Sequence, residues 1–106
     1  MKQFRQGDVF IRQIEVLPTN LKPKQTDANR TVLAYGEVTG HAHAFYTNTV
    51  SLFESNDINE TKAYLKVNAV SELKHEEHST ITLVPGNYEV IQQQEYVMGE
   101  IKRVAD

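Results

Sequence analysis

The chain has 106 residues, 40% hydrophobic and 24% charged, with a net charge of −3. That length holds one domain with a modest core, and a chain without cysteine has neither disulfides nor thiolate metal sites. Scattered Lys and Arg form no basic stripe, so a nucleic-acid surface is not expected; no apolar run nears the roughly 20 residues of a membrane helix, and Met1 to Asp8 lacks the apolar run of a signal peptide, so a cytoplasmic protein is the expectation.

Gly7-Asp8 reads as a turn into a strand, Val9 to Val16. In that strand Val9 and Ile11 share one face. Phe10, Ile14 and Val16 share the other, which Arg12 interrupts. Residues 17–29 hold Pro18, Asn20, Pro23 and Asp27 and read as a flexible polar loop. Arg30 to Tyr35 is β-prone. Gly36 and Gly40 then bracket Glu37-Val38-Thr39, as glycines do at a bulge or a close backbone approach. His41-Ala42-His43-Ala44 follows, and in a strand His41, His43 and Phe45 point one way.

Thr49 to Glu54 is a further strand, closed by the turn residues Ser55-Asn56-Asp57. In Thr61 to Val70, Ala63, Leu65, Val67 and Ala69 alternate with Lys62, Tyr64, Lys66 and Asn68, which predicts a strand buried on one face. Ser71 to Ser79 is polar, with room for at most one short helical turn. Thr80 to Val84 is a strand, and Pro85-Gly86-Asn87 predicts a type II turn. From Tyr88 alternation resumes, with Tyr88, Val90, Gln92, Gln94 and Tyr96 on one face, until Gly99 breaks the chain. Strand signals this frequent, without a long amphipathic helix, predict one all-β domain over residues 1–106: a small antiparallel barrel or roll, cupin-like or a β-sandwich.

The chemistry of the chain concentrates in four histidines, arranged as two pairs. On a strand, His41 and His43 place both imidazoles on one face with Cα atoms about 6.6 Å apart, a natural bite for one metal. His75 and His78 are spaced i and i+3 and serve together only if the chain turns between them. A turn there would fold this pair back onto the first. The expectation is a divalent metal, Zn, Fe, Ni or Mn, held by His41, His43, His75 and His78. Three protein ligands would leave a position open for catalysis, whereas four would look structural. Glu37 and Glu77 are the candidate acid–base groups. Tyr88, Gln92 and Tyr96 would contact a small molecule or nucleotide if their face lines a cavity.

Two known patterns are only approached. His75-Glu76-Glu77-His78 brings its second histidine one residue early for H-E-x-x-H, so zincin chemistry is not expected. His78-Ser79-Thr80 has the H-x-[ST] form of two-histidine phosphodiesterases, but His41-Ala42-His43 is not the second copy they require. Two other readings stand beside the metal site. One is a non-enzymatic bacterial or phage binding or assembly module, self-associating through exposed β edges. The other is metal-free acid–base chemistry by a histidine pair on a phosphodiester.

Gly36 to His43 resembles the start of the first cupin motif, which implies a metal-holding β-barrel. The glutamate that motif places after His43 is replaced here by Phe45, Tyr46 and Thr47, and the second histidine pair precedes Pro85-Gly86 instead of following it. A longer resemblance is to a small family of uncharacterised bacterial and phage-borne proteins. It is carried by Gly7-Asp8-Val9, Gly36 to His43, Leu73 to His78, Pro85 to Tyr88, Gln93 to Tyr96 and Val104 to Asp106. This resemblance implies that the histidines are the functional centre and implies no particular reaction.

Overall fold

The computed structural model describes residues 2–24, 30–36, 40–55, 62–92, 94–97 and 100–103, the last two stretches as backbone alone. The described residues are all-β and contain no helix. A hairpin opens the chain: β1 (Gln3–Gln6) pairs antiparallel with β2 (Val9–Ile14). Gly7, at φ 58°, leads the two-residue turn, the position where such hairpins require a positive φ. The turn anticipated at Gly7-Asp8 is there, but the strand before it, β1, carries no strong β signal and was not expected.

The chain continues through β3 (Leu21–Pro23), β4 (Thr31–Tyr35), β5 (Ala42–Phe45), β6 (Val50–Ser55) and β7 (Ala63–Val67). After these come β8 (Ser71–Lys74), β9 (Ile81–Leu83), β10 (Gly86–Gln92), β11 (Gln94–Val97) and β12 (Glu100–Arg103). Six strands form one sheet in the order β1-β2-β10-β7-β6-β3, four form a second in the order β4-β5-β8-β9, and β11-β12 is a separate hairpin. The sheets are antiparallel throughout and do not close into a barrel.

One apolar cluster joins the two larger sheets. Val9, Ile11, Val50, Leu52, Leu65, Val67, Tyr88 and Val90 come from the six-stranded sheet, and Ala34, Phe45, Leu73 and Leu83 from the four-stranded one. The period of two explains most of it: Val9 and Ile11 are buried while Arg12 is exposed. Arg12 has a partner in register. It sits opposite Glu89, and its Nη2 lies 2.6 Å from that buried carboxylate, which Lys62 also approaches at 3.5 Å.

The structure corrects three local expectations. The segment read as a loop over residues 17–29 contains β3, paired to β6, and residues 25–29 lie outside the described residues. Within the limit of at most one short helical turn expected over Ser71 to His78, Ser71 to Lys74 is a strand and the bends after it hold no helical turn. Tyr64, expected outside, is buried, because β7 is an inner strand and Tyr64 lies between Phe53 and Glu89 across its two neighbours. Gly86 has φ 155°, a positive value that suits glycine but is far from the roughly +80° of a type II turn. Its pairing with Val67 draws it into β10.

Candidate metal centre

Strand register brings the two histidine pairs together. In the β5–β8 ladder Ala44 pairs with Lys74 and Phe45 with Leu73. Continuing that register past the end of β8 sets His43 opposite His75, Ala42 opposite Glu76 and His41 opposite Glu77. Side-chain geometry agrees with each. The rings of His43 and His75 are 4.4 Å apart, the Ala42 amide donates to Glu76 Oε1 at 2.9 Å, and His41 Nδ1 is 3.9 Å from Glu77 Oε1. The bends at Glu76 to His78 then return His78 to the same place. Its ring is 4.7 Å from that of His75 and 6.1 Å from that of His43, while His41 is 5.5 Å from His75.

Across β5 from this pairing, β4 has a bulge between Val32 and Ala34, and Ala34 faces His43. Bulges re-aim side chains at sites, and a small residue there leaves room for the imidazole. Gly40, at φ 87°, turns the chain into His41.

The cluster is graded in depth. His43 is completely buried, His75 nearly so, and His41 and His78 are half-buried. His41, His75 and Glu76 each offer one ligand atom, and those atoms lie within 4.8 Å of one another. Glu76 is exposed, yet its carboxyl titrates below the ordinary value, first because the Ala42 amide donates to it; partial burial opposes this, and the fields of His41 and His75 favour it. A cleft of about 190 Å³ lined by Tyr46, Lys74, His75 and Glu76 opens beside the cluster.

Two residues from the first hairpin reach into the cluster, and neither was expected there. Gln6 is buried. Its Nε2 donates to Leu73 O at 3.0 Å and Ser79 O at 2.9 Å, and its Oε1 lies 2.8 Å from His43 Nδ1. One amide therefore holds both ends of the segment carrying His75 and His78 and also orients His43. Asp8 is buried as well; its Oδ2 accepts from Gln92 Nε2 at 2.8 Å and its Oδ1 lies 3.3 Å from His43 Nε2. Three buried atoms, Asp8 Oδ1, His41 Nδ1 and His78 Nε2, have no hydrogen-bond partner among the described residues. Each such atom costs about 1–3 kcal/mol unless something fills its valence.

The other expected site residues fall elsewhere. Tyr88 is in the core, with its hydroxyl donating to Val84 O at 2.6 Å. Gln92 does reach the cluster, where its Nε2 donates to Asp8 Oδ2. Tyr96 lies in β11, and its side chain is outside the described residues, as is the whole of Glu37. Glu77 is exposed near His41, and its backbone amide donates to His75 Nδ1 at 3.0 Å.

Residues 5–93 match a family model described as a domain of unknown function, DUF8820. The chain belongs to this family. The matched span takes in Gln6, Asp8, all four histidines and Gln92. No curated protein and no solved structure matches the chain. Among the described residues no helix is long and apolar enough to cross a membrane.

Proposed function

We propose that this chain is a divalent-metal protein, with the histidine cluster supplying the ring-nitrogen ligands and the adjacent cleft admitting a small molecule or nucleotide. The observation that carries the reading is the convergence of four imidazoles from two distant segments, with neighbouring rings 4.4–6.1 Å apart. Packing four imidazoles side by side has no value for a core that Leu or Val would fill better. Imidazole nitrogens and carboxylate oxygens together suit Zn, Fe, Ni or Mn. The cleft bordered by Tyr46, Lys74 and Glu76 touches His75, so a ligand there would reach the cluster's edge.

The test is metal content of the untagged protein after supplementation, with a His41→Ala, His43→Ala double variant alongside. About one metal per chain in the wild type and none in the variant is expected; a wild type without stoichiometric metal defeats the proposal.

The Asp8–His43 contact favours a second reading, metal-free acid–base chemistry by a carboxylate-oriented imidazole. Against it, the His43 ring is completely buried and offers no face to a substrate. Phosphodiester turnover that survives chelation would select this reading over the first.

A further inference from the structure

We infer that Asp8 is a direct ligand of the metal, binding through Oδ1 beside His43 Nε2. This rests on the metal-binding reading above and adds to it an anionic ligand from the β1–β2 turn.

The Gln6 amide is fixed in orientation, because its nitrogen donates to Leu73 O and Ser79 O. Its oxygen therefore faces His43 Nδ1, and an amide oxygen only accepts. The proton of neutral His43 is thus on Nδ1, and the lone pair is on Nε2. That nitrogen faces Asp8 Oδ1 at 3.3 Å. Asp8 is 2% exposed, and Oδ1 accepts no hydrogen bond although its twin Oδ2 does. Two lone pairs held this close call for a positive charge between them, either a metal ion or the second proton of an imidazolium, and the position of a bound ion tells the two apart.

The spacing fits a metal ion. Zinc-like metals bind nitrogen and oxygen at about 2.1 Å, so a tetrahedral angle places the two donor atoms about 3.4 Å apart. The surroundings fit as well. Gln6 fixes the tautomer of His43, and Gln92 orients the Asp8 carboxylate, as second-layer partners of metal ligands do.

His75 Nδ1 accepts the Glu77 amide, which occupies that nitrogen's lone pair. Asp8 adds a donor and brings a negative charge that neutral imidazoles lack.

The experiment compares metal affinity of the wild type and Asp8→Asn by chelator competition with Zn²⁺, and places the ion by anomalous scattering in zinc-loaded wild-type crystals. Loss of an outer-layer partner costs about 10–100-fold in affinity, so loss of a ligand should exceed about 100-fold. The expected anomalous peak lies within about 2.2 Å of both Asp8 Oδ1 and His43 Nε2. A peak on His41, His75 and Glu76, away from Asp8, overturns this inference and leaves the metal reading standing. So does an Asp8→Asn variant that binds as tightly as the wild type. A wild type that takes up no zinc overturns both. Should Asp8→Asn not fold, the wild-type peak alone decides.

Discussion

Replacing Gln6 by Leu should do more damage than any other conservative change on the first hairpin. Leu nearly matches the volume but removes three hydrogen bonds at once: two to the carbonyls of Leu73 and Ser79 and one to His43 Nδ1. Ser79 is exposed, so its carbonyl can turn to water at little cost. Leu73 and His43 are fully buried and cannot. One lost bond to a buried carbonyl and one orphaned ring N–H, at roughly 1–2 kcal/mol each, give a destabilisation of about 3 kcal/mol. For a domain of this size that lowers Tm by roughly 12–24 °C. It would also consume a large part of a total stability of about 5–15 kcal/mol. Urea unfolding at unchanged m-value measures the loss directly. Gln6 is a positioning residue for His43, so zinc affinity of the folded variant should fall as well, by about 10–100-fold. A stability loss under about 1 kcal/mol would refute the claim that Gln6 pins the segment from Leu73 to Ser79. Unchanged zinc affinity would refute the claim that it orients His43.

Three further outcomes are expected. Burial raises the Tyr88 pKa above its ordinary 10.0, so the native state keeps a proton that the unfolded chain has lost; the associated stability is complete below pH 10 and declines as pH rises past it. Tyr88→Phe should flatten that alkaline decline while costing about 1 kcal/mol at neutral pH for the lost bond to Val84 O, both read from urea midpoints across pH 7–11. Gly40→Ala meets no atom within 4 Å, so only its φ of 87° opposes it; a cost of about 1–2 kcal/mol is expected, with weaker metal binding because the next residue is His41. Thermal unfolding with zinc at about 100 times its Kd should gain about 2.7 kcal/mol over the chelated protein, and the His41→Ala, His43→Ala variant should show no such gain.

The fold class was legible because frequent short alternations bounded by turn residues leave few options but a small β domain. The failures have specific physical origins. Whether a polar strand position faces water depends on what covers the sheet. Tyr64 is buried because β7 has neighbours on both sides, and nothing within Thr61 to Val70 reports that. Pro85-Gly86 carries ordinary turn chemistry, but the ladder with β7 extends to Val67 and overrides it. β1 consists of Gln-Phe-Arg-Gln, whose intrinsic strand preference is weak; its pairing with β2 through the Gly7 turn makes it a strand.

The site divides along the same line. Histidines are rare in this chain, and their two clusters are visible at once; the β5–β8 register then converts two sequence pairs into one spatial group. Gln6 and Asp8 carried no comparable signal, because glutamine and aspartate flanking a turn glycine are commonplace on surfaces. What marks them is contact with residues far along the chain: Gln6 bonds to Leu73 and Ser79, separated by 67 and 73 positions, and Asp8 to Gln92, separated by 84. The closing of β1 against the second sheet creates the partners of Gln6, and the β2–β10 ladder creates that of Asp8. The hairpin that looked least informative therefore supplies what the histidines lack among themselves: a fixed tautomer for His43 and a buried carboxylate facing its lone pair. Four neutral imidazoles can gather a cation without balancing its charge. With Asp8 among them the cluster offers both nitrogen donors and a compensating charge, so the carboxylate at position 8 decides where in the cluster a cation would sit.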